Sequence, residues 1–223
     1  NGNLILAYKS KTLVPSKKIE IKSNEVKYYK KKNIIIFIGD VYFHDQINDM
    51  IIESNKINYN RNSNIIYSSG ETLINYKNEY NIKSTDVFYN RKNLEIYGEK
   101  EANIEDLNKN YYNLKDKFKF NLSKNLIQSE KSIIIDNEKN KYVFDNLILD
   151  LNTNEIAGKE LKVEYEKSYF GNKNNDPQLK GRSVYSNDDE LKVYKAVFST
   201  CNIDNKKCRG WELNSKEFRH DKI

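Results

Sequence analysis

One pattern recurs along this chain about every thirty residues, and it limits the fold more than any single motif. One copy runs Ser54-Asn55-Lys56-Ile57-Asn58-Tyr59-Asn60, then Asn64-Ile65-Ile66-Tyr67-Ser68-Ser69-Gly70-Glu71-Thr72. The next runs Ser84-Thr85-Asp86-Val87-Phe88-Tyr89-Asn90, then Asn93-Leu94-Glu95-Ile96-Tyr97-Gly98-Glu99. An earlier copy keeps Ser23, Val26, Tyr28, Asn33, Ile34, Ile36, Ile38 and Gly39-Asp40-Val41. A later one runs Asn146-Leu147-Ile148-Leu149-Asp150, then Asn154-Glu155-Ile156-Ala157-Gly158-Lys159, with a weaker copy from Ser129 to Val143.

Each unit reads as strand, polar turn, strand, glycine corner, strand. Val87/Tyr89 and Leu94/Ile96 alternate with polar neighbours, the period of a half-buried strand. Asn60-Arg61-Asn62-Ser63, Asn90-Arg91-Lys92 and Asn152-Thr153 are turn chemistry. The glycine after each second strand predicts a bulge or corner, with a change of apolar parity across it. From Lys100 to Asp116, Ile104, Leu107 and Tyr111 have roughly helical spacing, but the surrounding pattern favours loop and strand. Composition agrees: the chain has only four Ala, while β-branched and aromatic residues abound. The fold class expected is all-β, a jelly-roll or solenoid of stacked antiparallel strands, as one domain over residues 1–223. Such a stack leaves an open strand edge at each end, a ready site for strand addition.

No apolar run exceeds five residues, and Ile34-Ile35-Ile36-Phe37-Ile38 is one of the longest, so no transmembrane helix is expected. The net charge of +6 reads as compositional bias, since Asn, Lys, Ile and Tyr are all heavily used and all have A/T-rich codons. No basic block is interleaved with aromatics as in RNA-binding surfaces, and no nucleic-acid partner is expected. The chain begins at Asn1 and stops after His220-Asp221-Lys222-Ile223, and both ends read as cut from a longer protein.

Catalytic constellations are hard to assemble, and no enzyme activity is expected. His44 lies near a turn and reads as a surface histidine, while His220-Asp221 has no accompanying Ser-nucleophile motif. Gly181-Arg182-Ser183 lacks the spacing of a phosphate loop, and the carboxylates are scattered. Asp40, Asp86 and Asp106 are isolated and read as structural turn residues, so no metal or other cofactor is expected. Cys201 and Cys208 enclose a polar loop. A zinc site there lacks two ligands. A local disulfide suits an extracytoplasmic protein and contributes about 2–3 kcal/mol by chain entropy. The remaining alternative is a bond from one cysteine to a part of the protein outside this sequence.

The C-terminal segment reads Tyr194-Lys195-Ala196-Val197-Phe198-Ser199-Thr200-Cys201, then Trp211-Glu212-Leu213, then Phe218-Arg219-His220-Asp221. This resembles the signature closing the periplasmic OstA-like domain of the LptD family of outer-membrane lipopolysaccharide-assembly proteins. Phe170-Gly171-Asn172, Asn175-Asp176-Pro177 and Lys180-Gly181-Arg182-Ser183 are similar to alphaproteobacterial variants. The Gly-Asp-Val and Ser-x-x-Ile-x-Tyr repeats resemble the OstA-type domain shared with the LptA bridge.

The resemblance implies a non-enzymatic β-jelly-roll in the periplasm of an outer-membrane protein. Such a domain accepts lipopolysaccharide from an LptA-like bridge by edge-strand addition, in this chain at an N-terminal strand before Lys30. It passes the acyl chains along an apolar groove to a β-barrel plugged by an LptE-like lipoprotein. The groove positions implied are Val26, Tyr28, Ile36, Ile38, Ile57, Tyr59, Ile65, Tyr67, Val87, Tyr89, Leu94 and Ile96, which recur at equivalent repeat positions and are expected to form one apolar stripe. A plain packed core is the competing reading of the same residues. The resemblance also matches Cys201 to a family cysteine that bonds to the barrel, while Cys208 departs from the simplest pattern and leaves a Cys201–Cys208 bond open. A soluble LptA-like bridging protein is the alternative within this architecture. A β-helical adhesin or polysaccharide lyase is the alternative from another class.

Overall fold

The computed structural model describes residues 2–166, 177–187, 189–200 and 211–221. The chain is all-β, as the repeat requires: antiparallel strands joined by short turns, with two single-turn 3-10 segments at Pro15–Lys17 and Lys30–Lys32. Among the described residues no helix is long and apolar enough to cross a membrane. The 100–116 region is strand, turn and strand, as its surroundings imply.

The chain divides into two compact units. Unit 1 holds β1 (Leu4–Val14), β2 (Ile19–Tyr29), β3 (Ile34–Asp45), β4 (Met50–Asn60), β5 (Ile65–Tyr76), β6 (Tyr80–Thr85), β7 (Phe88–Asn90), β8 (Glu95–Gly98), β9 (Ala102–Asp106) and the second part of β10 (Tyr111–Asn121). Unit 2 holds the first part of β10, β11 (Leu126–Ile135), β12 (Lys141–Phe144), β13 (Asn146–Asp150), β14 (Glu155–Glu164), β15 (Gln178–Ser186), β16 (Glu190–Ser199) and β17 (Glu212–Asp221).

The turns explain the repeat. Residues with positive φ at turns include Lys18, Asn33, Asp49, Asn64, Asn78, Leu94, Lys109, Asn125, Lys139 and Asn154, about fifteen residues apart, so each thirty-residue repeat is one hairpin. Asparagine closes many of them by chemistry local to the turn. Asn60 Oδ1 accepts from the N–H groups of Asn62 (3.0 Å) and Ser63 (3.2 Å), and Asn90 Oδ1 does the same for Lys92 (3.1 Å) and Asn93 (3.2 Å).

Midway along each hairpin the strands bend. Gly39 (φ 78°) and Gly70 (φ 85°) adopt the left-handed conformation open to glycine at little cost. On either side of β4, the pairs Gly39-Asp40 and Gly70-Glu71 face the single residue Asn55, which defines a bulge in each ladder. The parity change expected across Gly70 does not occur. Ile66, Ser68, Thr72 and Ile74 are all buried on even positions of β5, because the detour there keeps the period of two. Parity flips instead on β4, which buries Ile52 and then Ile57 across Asn55.

Bending folds each sheet over its own interior. In unit 1 one arm supplies a cross-strand row of Ile35, Tyr59, Ile66, Tyr89, Ile96 and Phe120. The other arm supplies Ile21, Phe43, Ile52, Ile74, Ile82 and Ile104. All of these are buried, and full burial of such a side chain contributes about 1.5–3 kcal/mol. Two polar clusters close the interior of unit 1 at the turns. Lys17 donates to the hydroxyl of Tyr59 (2.9 Å) and also bonds Asn64, and Tyr89 donates its hydroxyl to Asp45 (3.0 Å).

The outermost strands of the ladders are also defined. β1 pairs with β2 from Leu4↔Tyr29 to Val14↔Ile19, and β17 pairs with β16 from Glu190↔Asp221 to Ser199↔Glu212. Both are largely exposed, and β1 presents Leu4, Ile5, Leu6, Tyr8 and Leu13 to solvent.

Candidate functional site

Unit 2 encloses a cavity of about 630 Å³, within the range of ligand pockets, about 300–1,000 Å³. Its walls come from alternate residues of neighbouring strands, since every second side chain of a strand points inward. β11 contributes Ile134, β12 Phe144, β13 Leu149, β14 Leu161, β15 Val184 and β16 Leu191, all buried. Tyr112 and Tyr165 add buried rings.

The rim is polar. Asn108, Asn137, Glu138, Asn154 and Asp221 line the cavity and are exposed, so they mark its opening. The β11–β12 turn builds one side of it. Asp136 accepts from the Asn140 backbone N–H (2.8 Å), from Asn140 Nδ2 (3.0 Å) and from the Tyr142 hydroxyl (3.0 Å). Asn140 is itself buried, and its Oδ1 accepts the N–H of Glu166 at 3.0 Å. The carboxylate of Asp136 is thereby held in place by three donors, two of them from a residue locked to β14's end. A chamber with apolar walls, interrupted by buried Ser186 and Asn140, and a hydrogen-bonding rim suits a molecule with an apolar body and a polar end.

The twelve sequence-derived positions lie in unit 1, and they do not form one stripe. Val26, Ile57, Tyr59, Val87, Tyr89 and Ile96 are buried in the interior of that unit. Tyr28 shares their face, opposite Ile35, and is half-buried. Ile36, Ile38, Ile65 and Tyr67 lie on the opposite face of the same sheet, half-buried. The register shows this directly: Ile36 stands beside Asn58, and Asn58 beside Tyr67, while the interior row passes through Ile35, Tyr59 and Ile66. Leu94 sits at a turn with φ 53°. The single apolar stripe is therefore corrected to two faces. On the opposite face Tyr67, Phe88 and Tyr97 form a ring ladder, with centroids 4.6 Å and 5.2 Å apart.

The cavity walls were missed by the sequence reading, although a signal for them existed. Leu147 and Leu149 alternate in the later repeat copy, and both are buried. The twelve groove positions all belong to the earlier copies. His220, which the sequence pairs with Asp221 but with no nucleophile motif, comes to the cavity rim with that residue, whose Oδ1 accepts from Arg219 Nε at 3.0 Å. His44 packs edge-on to Tyr42 with ring centroids 6.2 Å apart. Asp86 is a structural turn residue as expected: it accepts the Gly70 N–H at 2.8 Å and pairs with Lys100, and these partners hold its carboxyl below the usual range. Cys201 and Cys208 lie outside the described residues, as do residues 167–176. Among the described residues no group of three or more His, Cys, Asp or Glu is placed to hold a metal ion.

In comparisons with known proteins, no family model matches the chain and no curated protein matches it.

Proposed function

We propose that this chain is a periplasmic lipid-transport domain of the LptD type, which takes up acyl chains of lipopolysaccharide for delivery to the outer membrane. The observation that carries this reading is the unit 2 cavity, with its apolar walls from six successive strands and its polar rim. Antiparallel strands bent over an apolar interior are the architecture such a domain needs, and the C-terminal Phe-Ser-Thr-Cys…Trp…His-Asp signature supports the same reading. In this proposal the exposed strand β1 receives an LptA-like bridge by strand addition. The acyl chains then pass to an outer-membrane β-barrel that holds an LptE-like lipoprotein. The soluble bridging protein is the second reading, and a barrel sequence following residue 223 in the parent gene separates the two.

The test is site-specific photo-crosslinking in cells that make lipopolysaccharide. Probes at Leu149 and Val184 face the cavity, while Ile148 (45% exposed) and Tyr194 (41% exposed) point outward on the same unit. Lipopolysaccharide adducts at Leu149 and Val184, and none at Ile148 and Tyr194, are the expected result. Adducts at the outward pair alone overturn the proposal.

A further inference from the structure

We infer that the unit 2 cavity selects chains by the charge of their head, admitting an acyl chain joined to a neutral ester or amide and disfavouring one that ends in a free carboxylate or phosphate. This rests on the proposal that the cavity takes acyl chains. The residues that line it include Asp136, Glu138 and Asp221 but, among the described residues, no Lys or Arg; His220 is the one basic side chain. This is unexpected in a chain of net charge +6.

One carboxylate of the acidic rim is also fixed. Asp136 is held by its three donors, and Glu138 lies two residues on in the same turn, where its Oε2 accepts from Asn140 Nδ2 at 3.4 Å. Among the described residues neither Asp136 nor Glu138 is paired with a Lys or Arg. Asp221 is partly compensated by Arg219, so the carboxylates without an ion-pair partner lie on the β11–β12 side, where Lys139 of the same turn is exposed and lies outside the cavity lining. An anion brought to that rim meets like charge, a repulsion between largely exposed groups that salt screens. The exposed amides of Asn137 and Asn154, by contrast, offer both donors and acceptors to an ester, amide or hydroxyl. Chains linked through neutral bonds to a sugar satisfy this rim; free fatty acids do not.

Three probes with one lauroyl chain test the inference: laurate, 1-monolauroylglycerol and lauroylcholine. Each is titrated calorimetrically into the full chain at neutral pH, below its micelle threshold, at low and high salt. Laurate and lauroylcholine both carry a charged, water-loving head, so their difference reports the sign of charge alone. The expected result is that lauroylcholine and monolauroylglycerol bind about tenfold more tightly than laurate, a gap that narrows at high salt. In Glu138→Gln, an exposed substitution, the gap between laurate and lauroylcholine is expected to shrink by about half or more; Asp136→Asn is the companion variant, with near-ultraviolet circular dichroism to report on its turn. Equal or tighter binding of laurate overturns the inference and leaves the lipid reading standing. Binding of none of the three overturns the lipid reading as well.

Discussion

Arg91 holds both carboxylate oxygens of Asp45, Nε to Oδ2 at 2.7 Å and Nη2 to Oδ1 at 3.0 Å, across a sequence separation of 46 residues. Asp45 closes β3, and Arg91 lies in the turn after β7, so the pair ties the two arms of unit 1 together at one end. The same Arg91 Nη2 donates to the Lys17 carbonyl at 2.7 Å, and Asn48 Nδ2 donates to Asp45 at 2.7 Å. Asp45 is fully buried, so removing its partner strands a charge in the interior. Arg91→Ala is expected to cost about 3–5 kcal/mol of unfolding free energy. Urea denaturation followed by circular dichroism checks this, and a loss under about 1 kcal/mol contradicts it.

The same site sets a pH dependence. Burial pushes the Asp45 carboxyl up, but the donors Arg91, Asn48 and Tyr89 outweigh it and hold it below the usual carboxylate value. A depressed carboxyl stabilises the fold above its unfolded pKa of about 3.9, and that stability is lost as pH falls through the folded value. Burial, followed by the nearby Asp45 charge, raises the Tyr89 hydroxyl instead. Its contribution is present below the unfolded pKa of about 10 and is lost as pH rises above it. Urea midpoints measured across pH are expected to fall at both ends. Asp45→Asn is expected to flatten the acid limb, and an unchanged acid limb in that variant contradicts the assignment.

Gly70 and Gly158 are expected to fail for different reasons. At Gly70 a Cβ meets nothing within 4 Å, so the cost of Gly70→Ala comes from φ 85° alone, about 1–2 kcal/mol. Gly70→Asn is expected to cost less, because Asn tolerates the left-handed region. Thermal unfolding of the two variants separates them by order.

At Gly158 a Cβ lies 2.6 Å from Cδ1 of the Phe144 ring and 3.1 Å from the Asn146 carbonyl oxygen. Gly158→Ala is therefore an overpacking change, expected to cost about 1–3 kcal/mol. Phe144→Leu is expected to relieve part of that cost. A double-mutant cycle measures the coupling, and strict additivity of the two changes contradicts the clash.

Filling the cavity tests whether its volume is used. Val184→Trp is expected to lower the affinity for 1-monolauroylglycerol by tenfold or more. The outward substitution Tyr194→Trp is expected to leave it unchanged, and calorimetric titration compares the two. Equal affinities in both variants contradict occupation of the cavity.

Much of this architecture was legible because it rests on chemistry local to the chain. Asn60 and Asn90 cap their own turns within three residues, so those turns are visible in a short window. Gly39 and Gly70 mark bends because glycine enters positive φ cheaply. The Asp45–Arg91 pair had no such signal, and the cavity in unit 2 only an ambiguous one. Both depend on residues that no short window contains, and the alternation of Leu147 and Leu149 is equally compatible with a packed core.

From the sequence alone came the all-β class, the hairpin repeat and the places where strands turn and bend. Tertiary structure decided which face of each strand is inside. In Ile34-Ile35-Ile36-Phe37-Ile38 both parities are apolar, and alternation says nothing. Pairing Ile35 with Tyr59 and Phe37 with Ile57 sends the odd residues inward and leaves Ile36 and Ile38 on the other face. The side-chain period is two, so a shift of register by one residue exchanges the faces entirely. Only the ladder of long-range pairs, with its bulges at Asn55 and its neighbours, can select between them.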